Sequence, residues 1–306
     1  MEQIRSLDQL LEEMKQATSR RLAIAAGHDP HTIQAAAMAA DMDIAKVTLV
    51  GKKSRILELC GEYSINESLF NIIDEPVDKN AGIIARDMVT SGKADVLMKG
   101  LLSTDAYMRL ILDKEKGLLP KNAVLSHVTC LEVPEYHKIH NKLLFITDVA
   151  IIPAPDLATK VKMVNYAVAS ARSFGVEVPK VAMLAPTEVV SIKIQSCTDA
   201  AIISKMAERG QFGNCIVEGP LALDVAISPQ CCADKGLKTS INGAADILVF
   251  HCLEASNSFY KACTLLGRAR LAGSVVGTTA PCVLTSRADS EESKLCSIAL
   301  GCRLVK

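Results

Sequence analysis

Short apolar runs alternate with longer helix-forming segments along most of the chain. Residues 22–27 and 46–51 form near-continuous apolar runs that predict buried strands, and the alanine-rich segment 30–42 between them predicts a helix. The same order predicts further strands at 94–98, 123–129, 143–149, 181–185, 215–218 and 246–250, and helices at 81–91, 105–113, 155–174, 199–208 and 257–266. Because apolar strands that alternate with helices are typical of parallel sheets covered on both faces, we expect an α/β fold.

The length and the apolar content indicate a large core divided between domains. A chain of 306 residues with 49% hydrophobic residues can bury an extensive interior, and its length suggests about two domains. The alternation of strands and helices pauses at 132–137, where the chain could cross between domains, and a second crossing is expected at 271–274. We therefore predict a first domain formed by residues 1–133 and 275–306 and a second formed by 134–274, with the ligand in the cleft between them.

Charge and the N-terminal sequence restrict the partners and the location. Lys plus Arg and Asp plus Glu each number 34, so the chain offers no electrostatic reason to bind nucleic acid or an acidic membrane surface. The first residues lack the apolar core of a signal peptide, and no apolar run approaches the ~20 residues of a membrane span. We expect a cytoplasmic protein.

Neither the cysteines nor the histidines have the spacing of a metal site. Most of the 11 cysteines lie in apolar segments and no Cys-x-x-Cys pair occurs, so buried reduced thiols are expected. His137 and His140 have no acidic partner at a helical ligand spacing. The sequence therefore predicts no bound metal.

The most informative candidate for a binding site is near the C-terminus. The apolar run 280–284, a predicted strand, leads directly into Thr285, Ser286 and Arg287, and an acid-rich helix start follows. Ligands of open α/β sheets collect beyond the carboxyl ends of the strands, where a guanidinium can bind phosphate through two hydrogen bonds. We therefore predict an anion site at Ser286 and Arg287. Ser286 is a candidate hydrogen-bond donor rather than a nucleophile, because no Gly-x-Ser-x-Gly sequence surrounds it.

A second strand-to-helix junction follows the predicted strand 94–98. Ser103 or Thr104 can cap the next helix, which would leave backbone N–H groups and the positive helix end facing a phosphate, with Arg109 one to two turns inside. The spacing of a Walker loop is absent. Ordinary capping with a surface arginine remains the alternative.

A third junction lies after the predicted strand 246–250. Glu254 and Asn257 follow the carboxyl end of that strand and are candidates to face the same ligand. Alternatively, Asn257 is the N-cap of the next helix and Glu254 is a solvated acid. Three junctions of this kind favour a shared binding site.

Together these segments resemble the phosphate acetyl/butyryltransferase family. The resemblance rests on Ser103-Thr104 with Arg109, on the segments 218–221 and 253–261, and on Ser286-Arg287, which occur in the family's order across roughly residues 95 to 300. The short chain and the run 286–293 are more similar to the butyryltransferase branch than to the acetyltransferase branch. The resemblance implies a two-lobed, three-layer α/β/α fold similar to isocitrate and isopropylmalate dehydrogenases, with the active site between the lobes and commonly a homodimer.

The resemblance also implies an activity. The family transfers an acyl group between CoA and inorganic phosphate, so acyl-CoA and phosphate would be the partners, in a direct transfer within a ternary complex. CoA would be a substrate and no cofactor would be permanently bound. A short or branched acyl group such as butyryl is expected.

The matched positions imply a role for each candidate residue. Ser286 would hydrogen-bond at the reacting carbonyl or thiol, and Arg287 would hold the phosphate or CoA. The phosphoryl group would be bound by Ser103, Thr104 and Arg109. Further contacts to substrate or CoA would come from Lys99, Gly100, Glu254, Asn257, Tyr260 and Lys261.

One departure from the family concerns the general base. The acetyltransferase branch carries an Asp seven residues after the motif serine, as the proposed base for the CoA thiol, whereas this chain has Ser293 there. Glu292 is our candidate for this role. The alternative is structural: with Asp289 as N-cap, Glu292 would occupy the third helical position of a capping box.

Three other functions are compatible with parts of the pattern. A phosphate acetyltransferase would differ only in acyl preference. A non-catalytic sensor of acyl-CoA or acyl phosphate would account for Ser293 in place of the base. An NAD-dependent dehydrogenase of the same fold is disfavoured, because the chain lacks both Gly-x-Gly-x-x-Gly and a carboxylate cluster for a divalent metal.

Overall fold

The computed structural model describes residues 2–286 and 289–305, and the chain forms two compact units. The N-terminal unit consists of Leu7–Leu125 and Ala272–Lys306, and the central unit of Met1–Ser6 and Ser126–Leu271. The units thus divide at residues 6/7, 125/126 and 271/272, whereas the boundaries predicted from the sequence are 133/134 and 274/275, with residues 1–6 in the first domain. Each unit contains strands and helices, so the predicted α/β class is confirmed.

Strands and helices alternate along the described chain. The strands are β1 (Arg20–Ala25), β2 (Ala45–Gly51), β3 (Phe70–Asp74), β4 (Val96–Lys99), β5 (Ser126–Glu132), β6 (Leu144–Thr147), β7 (Lys180–Leu184), β8 (Ile216–Leu221), β9 (Ile247–Val249), β10 (Arg270–Val276) and β11 (Cys282–Val283). The helices are α1 (Leu7–Gln16), α2 (Pro30–Asp41), α3 (Lys53–Glu62), α4 (Asp78–Thr90), α5 (Thr104–Ile111), α6 (Pro134–His140), α7 (Leu157–Ser173), α8 (Gln195–Glu208), α9 (Leu223–Ile227), α10 (Pro229–Asp234), α11 (Leu253–Leu265) and α12 (Glu291–Arg303).

The sheet of the N-terminal unit has the strand order β3-β2-β1-β4-β11-β10. Its strands are parallel except for β10, which runs antiparallel to β11. The crossover from β1 through α2 and the crossover from β3 through α4 run in opposite directions along the sheet. Because such crossovers are right-handed, α2 and α4 cover opposite faces.

A topological switch point lies between β1 and β4. The chain leaves β1 through α2 towards β2 on one side, and it leaves β4 through α5 on the other side. Where successive connections diverge in this way, a crevice opens beyond the carboxyl ends of the strands, and ligands of open α/β sheets bind there.

The sheet of the central unit has the order β5-β6-β9-β7-β8, with β6, β9, β7 and β8 parallel and β5 antiparallel to β6. A second switch point lies between β9 and β7. After β7, α8 leads to β8 on one side. After β9, α11 extends to the other side, where Asn257 Nδ2 donates to the carbonyl oxygen of Val149 beyond β6 at 3.0 Å.

The last predicted strand differs from the structure, since 280–284 contains only the two-residue β11. The crossing predicted at 271–274 lies inside β10, where the chain passes from one unit to the other at 271/272. Ala272 and Ser274 are fully buried there, and the Ser274 hydroxyl is satisfied by backbone oxygens, including that of Cys282 at 3.3 Å. A Gly-Ser sequence that suggests a loop is therefore accommodated in a buried strand. Among the described residues, no helix combines the length and apolar character needed to cross a bilayer.

Candidate functional site

Three helices begin at the carboxyl edge formed by the neighbouring parallel strands β1, β4 and β11. We call this the β1–β4–β11 edge. Each helix has a side-chain cap: Asp29 accepts from Thr32 N, Ser103 from Ala106 N and Ser290 from Ser293 N, all at 3.2 Å. The remaining free N–H groups and the positive helix ends make this edge favourable for an anion.

The loop after β4 is fixed to the end of β1. Gly100 N donates to Ala25 O at 2.8 Å, and a Cβ at Gly100 would lie 2.8 Å from that same oxygen and closer still to Ala26 O. Lys99 is 4% exposed, and its ammonium donates to the carbonyl oxygens of Gly100 and Leu102, both at 3.1 Å. Both residues therefore shape the loop, and their predicted contact with substrate stays a prediction.

Ser103 and Thr104 lie at the exposed start of α5, and Arg109 is an exposed residue of its last turn. Of the two predicted cap candidates, Ser103 is the N-cap and Thr104 is the first helical residue. Arg109 pairs with Asp105 at 3.0 Å, with the two side chains 79% and 73% exposed. An ion pair this exposed is weak, so Arg109 can exchange its partner for a phosphate at little cost. Their phosphate-binding role stays a prediction.

The backbone of Ser286 is held on both sides. Its N–H donates to Asp289 Oδ2 at 2.7 Å, and its carbonyl oxygen accepts from Lys294 Nζ at 2.8 Å. The residue itself is exposed, whereas the preceding Thr285 is buried. Arg287 lies outside the described residues.

Lys294 is a further candidate residue of this site, and it was not among those predicted from the sequence. It is 3% exposed, and its ammonium also donates to Thr285 Oγ1 at 3.2 Å. Burial lowers the pKa of Lys294, while Asp29 and Asp289 act in the opposite direction. The position of Lys294 in the sequence could have indicated it. A lysine in the first turn of a helix lies near the positive helix end, which is unfavourable unless hydrogen-bond acceptors compensate.

The predicted capping box at the start of α12 is wrong. The carboxylate of Asp289 is used by Ser286 N, and the hydroxyl of Ser290 caps the helix instead. Glu292 is therefore the second helical residue, and Ser293 is the third. The preceding Glu291 pairs with His31 at 3.3 Å. The pKa of the Glu291 carboxyl is lowered, mainly by a hydrogen bond from the backbone N–H of Glu291 and to a smaller extent by His31. Glu292 is exposed and stays the candidate base.

The remaining predicted residues lie on α11 in the central unit. The N-cap of this helix is Cys252, so the alternative of an N-cap at Asn257 is wrong; Asn257 instead contacts the loop after β6. The adjacent Ser256 hydroxyl donates to the backbone oxygen of Asp148. Glu254 and Lys261 are exposed, and Tyr260 packs partly against the core.

Asp148 organises the loop after β6. This carboxylate is 2% exposed and accepts hydrogen bonds from Ser126 Oγ at 2.9 Å and from the backbone N–H groups of His127, Ala150 and Ile151 at 2.8 Å each. It thereby joins the start of β5 to the loop that α11 contacts. No group of three or more His, Cys, Asp or Glu side chains within 2–286 and 289–305 is arranged to hold a metal ion.

Comparison with protein families gives a match over most of the chain. The family described as "Phosphate acetyl/butaryl transferase" matches residues 66–302. The phosphate butyryltransferase of Clostridium beijerinckii is 40% identical over 297 residues, which cover 97% of this chain and 97% of that protein. The phosphate acetyltransferase of Thermotoga maritima is 38% identical over 291 residues, covering 95% and 97%.

Solved structures with the same fold include a branched-chain phosphotransacylase from Enterococcus faecalis. It has 31% sequence identity and a TM-score of 0.81, and the match covers 94% of this chain and 99% of that chain. A 4-hydroxythreonine-4-phosphate dehydrogenase from Burkholderia phymatum, with 12% identity and a TM-score of 0.53, shares only the fold, over 94% of this chain and 99% of that chain. The predicted dehydrogenase-like α/β class is confirmed.

Proposed function

Since this chain belongs to the phosphate acetyl/butyryltransferase family and is a phosphate acyltransferase, we propose that it moves a butyryl or branched short-chain acyl group between CoA and phosphate in a ternary complex. The observation that carries the proposal is the β1–β4–β11 edge, where three helix N-termini meet the exposed Ser286. The similarity to a relative named phosphate butyryltransferase supports the acyl class.

Phosphate binds at the start of α5. The free N–H groups of the helix and the hydroxyls of Ser103 and Thr104 bind its oxygens, and Arg109 leaves Asp105 to complete the contact. A phosphate oxygen then attacks the thioester carbonyl carbon, the carbon–sulfur bond breaks, and CoA leaves as a thiolate that takes up a proton. Holding both substrates together supplies ~7–11 kcal/mol without a covalent intermediate.

Ser286 acts at the reacting carbonyl or thiol. Hydrogen bonds to Asp289 and from Lys294 fix its backbone before substrate binds. Orienting the Ser286 hydroxyl towards the reacting group therefore costs little further conformational entropy. Arg287 is proposed to hold phosphate or CoA. In the reverse direction Glu292 accepts the thiol proton, and the substrate phosphate is the alternative acceptor.

The remaining assignments complete the proposal. CoA is a substrate rather than a resident cofactor, and the enzyme is a cytoplasmic homodimer. Residues proposed to contact substrate or CoA are Lys99, Gly100, Glu254, Asn257, Tyr260 and Lys261. Acetyl specificity is the second candidate, because a relative of 38% identity is named phosphate acetyltransferase.

A thiol-release assay tests the function. Butyryl-CoA is mixed with phosphate and enzyme, free CoA is followed with dithionitrobenzoate, and acyl phosphate is trapped with hydroxylamine in equal amount. Omitting phosphate gives the background, including any reaction of protein thiols. CoA release that needs phosphate supports the proposal. Turnover of acetyl-CoA alone would restrict it to an acetyltransferase, and binding of butyryl-CoA without turnover would favour a sensor. NAD reduction with no CoA release would make it a dehydrogenase.

A further inference from the structure

Two helices of the central unit, α6 and α11, help to cover one face of its sheet. Tyr136 of α6 packs into the core on this face, and its hydroxyl donates to the carbonyl oxygen of Ala245. From α11, the partly buried Phe259 and Cys263 pack against the same core. The sides of α6 and α11 that point away from the sheet therefore belong to one surface of the central unit.

The outer side of this helix layer carries large apolar side chains. Only Ser256 is buried among the 13 residues of α11, whereas seven residues of α7 are buried. Leu265, the last residue of α11, is 79% exposed, and Leu266 beside it is 85% exposed. Ile139 on α6 is 62% exposed. Adjacent apolar side chains this exposed are unusual on a monomer and mark an interaction surface.

These side chains lie at the same end of the layer. Arg270, which follows α11 closely, has its Nη1 atom 3.4 Å from Oε2 of Glu132, which precedes α6. This ion pair brings the end of α11 next to α6. We call the α6–α11 patch the exposed side chains of Glu135, Lys138, Ile139, Leu265 and Leu266.

The α6 part of the patch carries one charge of each sign. Glu135 and Lys138 are three positions apart on the exposed side of α6, and neither forms an ion pair with any residue in 2–286 or 289–305. If a two-fold axis brings two copies of α6 together antiparallel, Glu135 of each copy meets Lys138 of the other. The patch is therefore self-complementary in charge, as an isologous contact requires.

We propose that the α6–α11 patch is the contact between two copies of this chain. The three apolar side chains form its centre, and the pairs between Glu135 and Lys138 set the orientation of the two copies. A stable interface buries about 800 Å² per partner, so the polar surface around the patch supplies the remaining area. This inference rests on the homodimer of the proposed function, and it is independent of which acyl group is transferred.

The first test reverses the charges one at a time. Glu135→Lys opposes two lysines across the axis, and Lys138→Glu opposes two glutamates, so each should raise the dimer Kd by at least about tenfold at low salt. An equimolar mixture of the two variants should form a heterodimer with nearly the Kd of the parent, because every charge then meets its opposite. Sedimentation over a range of concentrations measures all three constants.

The second test removes the apolar centre. The double variant Leu265→Glu, Leu266→Glu should raise the dimer Kd by at least about 100-fold, because four carboxylates would have to enter a desolvated contact. Ile202→Glu is the matched control: Ile202 lies on α8 outside the patch and is 45% exposed, so its dimer should be unchanged. Circular dichroism and melting temperatures verify that every variant is folded.

Three outcomes would overturn the inference. A parent chain that is monomeric at micromolar concentration would exclude the contact together with the homodimer, while the thiol-release assay would still decide the acyl transfer. A dimer that persists in all the patch variants would place the contact on another surface. Loss of the dimer in both charge variants without recovery on mixing would exclude the two-fold pairing of α6.

Discussion

The buried ammonium of Lys294 donates to the carbonyl oxygen of Ser286 at 2.8 Å and to the hydroxyl of Thr285 at 3.2 Å. The lysine therefore ties the first turn of α12 to the segment that carries the candidate catalytic serine. A positive charge at a helix N-terminus is unfavourable by itself. The hydrogen bonds to these two acceptors offset that electrostatic cost.

Lys294→Met should reduce turnover by roughly 10–100-fold, because a small displacement of a reacting group is enough for such a loss. Lys294→Arg should recover part of the activity, since it restores a donor. The apparent KM for phosphate should change little. The melting temperature of the Met variant should fall, because the buried hydroxyl of Thr285 and the carbonyl oxygen of Ser286 lose their donor. Lys53→Met, on the exposed start of α3, is the control. Unimpaired kcat in Lys294→Met would exclude a positioning role.

Arg109→Ala should raise the apparent KM for phosphate about tenfold or more, with little effect on that for butyryl-CoA. Stability should hardly change, because the exposed pair with Asp105 contributes at most about 1 kcal/mol. Asp105→Asn removes the same ion pair but leaves the guanidinium, so its phosphate KM should stay normal. Equal effects of Arg109→Ala on both substrates would mean that the helix shapes the site without touching phosphate.

Glu292→Gln should lower turnover by roughly 10²–10⁴-fold if Glu292 is the general base. Ser290 supplies the cap of α12, so the substitution leaves the cap intact and the melting temperature should be little changed. Glu291→Gln is the neighbouring control and should remain active, while Ser293→Asp should retain or improve activity. Full turnover of Glu292→Gln across the pH range would leave the substrate phosphate as the proton acceptor.

Gly100→Ala should destabilise the fold by about 1–3 kcal/mol, because the new Cβ would overlap the backbone oxygens of Ala25 and Ala26. Gly61→Ala is the matched control: a Cβ there meets no atom within 4 Å, so in the last turn of α3 it should be neutral or stabilising by up to about 1 kcal/mol. Urea unfolding of both variants measures the difference. Equal stability of the two would contradict the close approach of the loop to β1.

The pH dependence of stability should include a contribution from Asp95. Its carboxylate accepts from Arg21 Nε at 3.0 Å and from Arg21 N at 2.8 Å, and the guanidinium lowers the pKa of Asp95. A carboxylate with a lowered pKa stabilises the fold above its ordinary pKa of about 3.9 and loses this effect as the pH falls through the folded value. Asp95→Asn should therefore be less stable than the parent at pH 7, and the gap in urea midpoints should close towards low pH. A gap that is independent of pH would point to packing instead.

The elements that the sequence predicted well are those with local signals. The run 22–27 and the alanine-rich segment 30–42 are recognisable without any tertiary information, and so is Ser103 as one of two possible caps. These features account for the β1 and β4 part of the β1–β4–β11 edge.

The missed features depend on residues distant in sequence. Lys294 has a function only because α12 returns beside Thr285 and Ser286, and Asn257 is bonded to Val149, 108 residues away. The predicted capping box at α12 does not form, because the Asp289 carboxylate accepts a hydrogen bond from Ser286 N, outside the helix.

The first switch point is completed by a stretch of chain that follows the central unit, since β11 and α12 lie within Ala272–Lys306. A chain that stopped at Leu271 would lack β11, Ser286 and the first turn of α12, so the β1–β4–β11 edge could not form. During synthesis, this binding edge can therefore be completed only after the whole central unit has been made.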